Sequence, residues 1–164
     1  MRSLDVIRQK RRFEMFNEKS MLKVLELNKF FGKYNMDFEE IKRWYDGYSF
    51  EQTKHIYNPD SVVKSMLDGE CNNYWTSTET YESLKNYISM NFDGLKDAVI
   101  EMIAGGLCKI DTNTFENDMV SFQSKDDVLT VLVHLGYLAY NKKTQEVSIP
   151  NEEIRAAFIR VIEK

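Results

Sequence analysis

Glycine and proline are both scarce, at 7 and 2 of 164 residues. A loop-rich or many-turned all-β fold needs more of each, so the shortage points towards helix. Cysteine and histidine number two apiece, and Cys71, Cys108, His55 and His134 show no metal-ligand spacing, which speaks against a structural zinc centre. The cysteines read as two free, buried thiols of a reducing compartment, with one intramolecular disulfide as the alternative. Long apolar runs are missing as well. Nothing approaches the roughly 20 apolar residues of a membrane span, and the basic N-terminus (Arg2, Arg8, Lys10, Arg11, Arg12) is not followed by the apolar stretch of an export signal. A cytoplasmic chain with no membrane contact is expected. Nor is there an excess of positive charge: 22 Lys and Arg stand against 26 Asp and Glu, a formal net charge of −4. A nonspecific polyanion binder needs the opposite balance.

What is present is an ordinary globular mixture, 43% hydrophobic and 29% charged, enough to build one domain or two small ones around a core. Leu4, Val6 and Ile7 among the N-terminal basic residues suggest a short amphipathic helix. Between Lys19 and Tyr34, Met21, Val24, Leu25, Leu27, Phe30 and Phe31 recur at three- and four-residue steps, the pattern of a helix with one buried stripe. Asp37 and Glu40 form a capping-box pattern ahead of Ile41, Trp44 and Tyr45, and Gly47 is placed to end that helix. Asn58-Pro59 starts another, since Asn caps and Pro at the first position loses only a bond the helix would not make; Gly69 stops it. Thr76 to Glu79 opens a helix carrying Tyr81, Leu84 and Ile88, and Asp93 one carrying Leu95, Ala98, Val99, Met102 and Ile103. Every element up to Gly105 is therefore expected to be helical.

The pattern changes at Gly106. Leu107, Cys108 and Ile110 read as a short strand, and Met119, Val120 and Phe122 as a weaker one. Ser124 and Asp127 cap a helix bearing Val128, Val131, Leu132 and Leu135, closed by Gly136. Leu138–Tyr140 and Val147–Ile149 flank the polar turn Asn141-Lys142-Lys143-Thr144-Gln145 as a hairpin. Asn151 starts a last helix with Ile154, Ala157, Phe158, Val161 and Ile162 facing inward. Helix, hairpin and closing helix, with a helix upstream, outline a winged-helix-like α+β unit over 106–164, after a helical region over 1–105. The fold class expected is mainly α.

Chemistry-bearing patterns are few. Arg43-Trp44-Tyr45-Asp46-Gly47-Tyr48-Ser49-Phe50, then Ile56-Tyr57-Asn58-Pro59, then Tyr74-Trp75, interleave aromatic rings with Arg43, Asp46 and Asn58. Such a cluster either presents stacking faces with polar groups to orient a ligand, or locks two helices across an irregular loop. Gly32-Lys33 lacks the upstream glycine and the hydroxyl of a phosphate loop. The acidic-x-Lys triplet Glu40-Ile41-Lys42 lies inside a capped helix, where it does not make a nuclease strand. His55 and His134 have no local nucleophile motif, and His134 suits the C-terminal end of a helix dipole. No catalytic, cofactor or metal residue is assigned. In the winged-helix-like unit the reading helix would begin Lys125-Asp126-Asp127 and present Thr130 and His134 on its polar side. Two carboxylates there disfavour phosphate, although Lys142 and Lys143 could touch a backbone from the hairpin tip, so a protein-docking or lid role is preferred.

The segments Ile41–Phe50, Ile56–Val62 and Tyr74-Trp75 together resemble the hallmark run of the predicted AAA-ATPase-like bacterial proteins, which commonly end in a PD-(D/E)XK nuclease-like domain. Leu135-Gly136-Tyr137-Leu138 and Val147-Ser148-Ile149-Pro150-Asn151-Glu152-Glu153-Ile154-Arg155 are similar to the stretch that precedes that nuclease. The resemblance covers roughly Phe16 to the end, with Asp60 standing where the family often has Trp. It implies a helical, lid-like bundle plus winged helix that follows the nucleotide-binding core. The family's phosphate loop and acidic metal-binding strand would precede Met1, and its nuclease carboxylates would follow Lys164. ATP and Mg are thus implied only for an intact member. The expected partners are those ATPase-core and nuclease-like domains or another protein. The role the resemblance implies is non-catalytic coupling of nucleotide state to an effector. Arg43, Trp44, Tyr45, Asp46, Gly47, Tyr48, Phe50, Tyr57, Asn58, Pro59, Tyr74 and Trp75 are the candidate contact residues.

Overall fold

The computed structural model describes residues 36–50, 53–75, 85–112 and 122–163. The helices expected in the first dozen residues and over 19–34, the beginning of the one expected after Thr76, and the strand residues Met119 and Val120 lie outside the described residues. The architecture is mainly α, with two small antiparallel sheets. It divides into two compact units, Met1–Trp75 with Asn151–Glu153, and Thr76–Pro150 with Ile154–Lys164. The boundary drawn from sequence at Gly105 and Gly106 falls inside the second unit.

In the first unit, helix α1 (Phe38–Tyr45) buries Ile41 and Tyr45. Its expected capping box does not form: Asp37 occupies the cap position without a side-chain bond to the first turn. Glu39 and Glu40 instead supply the negative charge that the helix N-terminus favours. The helix stops at Tyr45, before Gly47, and the chain then departs from the all-helical expectation. Tyr48–Phe50 (β1) pairs with Thr53–Ile56 (β2) as an antiparallel hairpin. Aromatic and β-branched residues at Tyr48, Phe50, Thr53 and Ile56 favour extended backbone. The pairs Tyr48 with Ile56 and Phe50 with Thr53 leave Lys54 and His55 opposite Ser49 alone. That bulge places His55 at φ 58, a left-handed conformation rare outside glycine.

Helix α2 (Pro59–Asp68) begins and ends as its sequence dictates. Asn58 Oδ1 accepts from Asp60 N at 3.2 Å, Pro59 holds the first position, and Gly69 closes the helix at φ 77. Val62 and Met66 from α2 pack with Met36, Ile41, Tyr45 and Tyr57 into the core of this unit. A closing contribution comes from Asn151–Glu153.

The second unit holds a helical segment at residues 85–89, a 3-10 turn at Phe92–Gly94 and helix α3 (Leu95–Ile103). Asp93, expected to open α3, sits in that turn, and its Oδ2 accepts from Lys125 N at 3.0 Å. It thus caps a different helix, α4 (Lys125–His134). Helix α4 also carries the expected capping box, in which Ser124 Oγ accepts from Asp127 N while Asp127 Oδ2 accepts from Ser124 N. Strands Cys108–Lys109 (β3), Ala139–Asn141 (β4) and Glu146–Ser148 (β5) form a sheet in the order β3-β5-β4. Phe122 lies outside any strand. Helix α5 (Glu152–Ile162) buries Ile154, Ala157, Phe158 and Val161, and Ile162 is half-buried. Arg155 Nε donates to the Ile103 carbonyl at 2.9 Å, a favourable cation at the end of α3.

Two further expectations change. Both cysteines are free, but each is half-buried instead of enclosed. Partial burial pushes the Cys71 thiol up to about 11 and the Cys108 thiol upwards. On α4, Thr130 is buried, not displayed: its Oγ1 donates to the Asp126 carbonyl at 2.7 Å. Asp127 is also buried, because its carboxylate serves the cap. Among the described residues no helix is long and apolar enough to cross a membrane.

Candidate functional site

Capping chemistry at Asn58 sets the geometry of the site. With Oδ1 committed to Asp60 N, the other end of the amide, Nδ2, reaches Ser61 Oγ at 2.7 Å. Ser61 Oγ receives that proton and so turns its own towards Glu153 Oε1, at 2.8 Å. The Tyr74 amide donates to the same oxygen at 2.9 Å, and Asn73 Nδ2 donates to the Glu153 carbonyl at 2.8 Å. Tyr45 joins the neighbouring turn, its hydroxyl donating to the Asn72 carbonyl and accepting from the Asn72 amide, both at 3.0 Å. Asn58 N in turn donates to the Tyr45 carbonyl at 3.3 Å. Three stretches singled out in the sequence are thereby fastened to one acidic residue in the first turn of α5.

That residue is wholly enclosed. Glu153 is 0% exposed, and its Oε2 has no hydrogen-bond partner among the described residues. No ion pair reaches it among the described residues. Burial pushes its carboxyl up to about 7, against the opposing pull of Ser61 and the Tyr74 and Trp75 amides. The Tyr45 hydroxyl is likewise held above its ordinary range, first by burial and then by the nearby Cys71 and Glu153.

A second polar pair lies at the hairpin. Asp46 Oδ1 accepts from Gly47 N at 2.6 Å, and its Oδ2 accepts from His55 Nδ1 at 2.7 Å. The Asp46 side chain is 9% exposed and that of His55 46%. A carboxylate only accepts, so it fixes the imidazole tautomer with hydrogen on Nδ1. The pair braces the left-handed residue in the bulge, with no Ser, Thr or Cys bonded to His55 among the described residues.

The twelve candidate residues separate into two sets. Tyr45, Asp46, Tyr57 and Asn58 are buried and act within the unit. Trp44, Tyr48, Pro59, Tyr74 and Trp75 are half-buried, while Arg43 and Gly47 are exposed; Phe50 ends β1. Tyr74 also spends its hydroxyl locally, donating to Asp68 Oδ2 at 2.8 Å. The cluster therefore locks elements together at its centre and offers aromatic edge only at its rim. Sequence reasoning gave Ser61 and Glu153 no role of their own, and weighed His55 only as a metal ligand or catalytic base. Acid in the first turn of a helix reads as solvated charge satisfying the dipole, and only the inclusion of Ser61 and Glu153 in the family-like stretches marked them out. Among the described residues no group of three or more His, Cys, Asp or Glu is arranged to hold a metal. Chemically, the site can hold a proton at Oε2 and bind segments together; Ser61 is 1% exposed and its Oγ donates to the Glu153 carboxyl. Set against protein-family models, curated proteins and solved structures, the chain matches none.

Proposed function

We propose that this chain is a non-catalytic coupling segment of an AAA-ATPase-like protein, relaying a change of nucleotide state made in a separate core domain to an effector or partner. The observation that carries this reading is the Ser61–Glu153 bond, which ties the Trp-Tyr-Asp-Gly-Tyr and Asn-Pro segments to the start of the last helix across 92 residues of sequence. A bond between distant segments makes the position of one depend on the other, which is what transmission between two states requires. The half-buried rings of Trp44, Tyr48 and Trp75 are the surface assigned to the core domain. ATP and Mg belong to that core in this reading, and no bond-breaking step is assigned to the chain. Residues 106–164 are read as a winged-helix-like part used for protein docking.

Titration calorimetry against a separately purified AAA-ATPase-like nucleotide-binding segment tests the proposal. A complex weakened about tenfold by Trp44→Ala or Tyr48→Ala is expected, some 1.4 kcal/mol. Absence of a complex overturns the reading, and a complex indifferent to both variants overturns the assigned surface.

A DNA-binding role is the second reading, and one observation favours it: Lys142 and Lys143 are both exposed at the tip of the β4–β5 hairpin. Against it, the first turn of α4 carries two carboxylates, Asp126 bonded to the Asp111 amide and Asp127 engaged in its cap. Fluorescence anisotropy with a labelled duplex at low and moderate salt separates the two. Salt-dependent binding lost on replacing both lysines by alanine would displace the coupling role.

A further inference from the structure

The bonds around Glu153 have a direction, and that direction determines where a proton can reside. Asn58 Oδ1 is fixed by the α2 cap, so Nδ2 donates to Ser61 Oγ and Ser61 donates onward to Glu153 Oε1. The Tyr74 amide fills a second acceptor site on the same oxygen. Oε1 is thus saturated with donors and carries no hydrogen of its own. Oε2, buried beside it, has neither donor nor cation among the described residues. An ionised carboxylate here would keep half its charge on an oxygen that has no hydrogen-bond partner among the described residues, and a buried charge without a partner is costly. A neutral carboxyl with its hydrogen on Oε2 leaves the whole relay intact.

We propose that the Asn58–Ser61–Glu153 cluster is a proton-operated latch, fastened when Oε2 carries a proton and loosened when that proton leaves. The first turn of α5 and residues 72–75 are the parts it holds. The proposal names a regulation of the clasp and rests on the coupling reading for its use. Among the described residues no Lys or Arg forms an ion pair with Glu153. Tyr45 on α1 is engaged with Asn72. Lys64 on α2 is tied to Asp60 at 2.8 Å. On the segment after α2, Cys71 is a thiol raised by burial and Tyr74 donates to Asp68. Tyr57, ahead of α2, brings a phenol, and Glu152 on α5 adds only further negative charge. The raised carboxyl, from an ordinary 4.5 to about 7, agrees with this geometry.

The sign follows from proton linkage. Between 4.5 and about 7 the closed form holds a proton that an opened, hydrated Glu153 releases, so rising pH favours opening. Hydrogen exchange, expressed as protection factors that remove the intrinsic pH dependence, reads this directly at the Tyr74 amide. Protection is expected to fall about thirtyfold from pH 5.5 to 8.5 in the wild-type chain. It should stay level in Glu153→Gln, whose amide oxygen still accepts from Ser61 and Tyr74 but cannot ionise. Level protection in the wild type, or an unchanged fall in Glu153→Gln, overturns the proposal. Should the variant fail to fold, carbon-detected NMR titration of the wild-type Glu153 carboxyl decides: a midpoint near neutrality supports the latch and one below 5.5 overturns it. Loss of the calorimetric complex leaves these readouts untouched, so the latch and the coupling role fail separately.

Discussion

Asn58 is held at both ends of its amide, and each bond fixes the other: the α2 cap orients the group, and the orientation sets the polarity of the relay to Glu153. Ser61 is the member with least redundancy. Ser61→Ala leaves Asn58 Nδ2 without its acceptor and removes one of the two donors to Oε1, in a place water does not reach. A loss of about 1–3 kcal/mol is expected in urea unfolding, since each stranded polar group costs its full desolvation. At His55 the expectation runs against the usual strand preference. The residue sits at φ 58, where any side chain carries a strain of about 1–2 kcal/mol. Both His55→Ala and His55→Gly lose the Asp46 bond, yet only glycine relieves the backbone. His55→Gly should therefore be the more stable by roughly 1 kcal/mol, measured as a higher midpoint in the same denaturant series.

At the scale of elements, what was legible in the sequence and what was not separates along one line. Ends set by local chemistry are readable. Asn58-Pro59 and Gly69 bound α2, and Ser124 with Asp127 opens α4, because each cap is a bond between residues four or fewer apart. Features that depend on a distant neighbour are not. Asp93 looks like the cap of α3 and instead receives the amide of Lys125. Tyr48–Phe50 and Ile56 read as parts of an aromatic cluster on an irregular loop until β1 and β2 pair. Thr130 looks like a polar-face residue until its hydroxyl folds back on the Asp126 carbonyl. The centre of the candidate site shows the same division: its aromatic residues stand out, whereas Ser61 and Glu153 become meaningful only once they meet. The junction of α3 and β3 offers a test of a local rule. A Cβ at Gly106 would come within 2.9 Å of the Glu101 carbonyl oxygen and 2.7 Å of its Cγ. The backbone oxygen cannot step aside, being the acceptor for Gly106 N. Gly106→Ala should lower the thermal midpoint by several degrees, as a loss of about 1 kcal/mol does in a domain of this size.

For the molecule as a whole, the enclosed acid Glu153 makes stability depend on pH. Its folded form binds a proton more tightly than its unfolded form between 4.5 and about 7, so its contribution is complete in acid and is lost on the way to neutrality. The difference attributable to Glu153 is of order 3 kcal/mol, and urea unfolding of the wild type and Glu153→Gln at pH 5 and pH 8 measures it. The wild type should weaken relative to the variant as pH rises; parallel behaviour would show that the group titrates in solvent. The 92 residues that separate Ser61 from Glu153 matter in a further way. A ribosome adding about 5–20 residues per second delivers the acid roughly 5–20 s after the serine. Through that interval the nascent chain has made the hydroxyl, its neighbours and much of the surrounding apolar cluster, while the counterpart that finishes them is still unwritten. Closure is therefore a late, entropically slow event. A chaperone that shields residues 57–75 during translation would act in just this window.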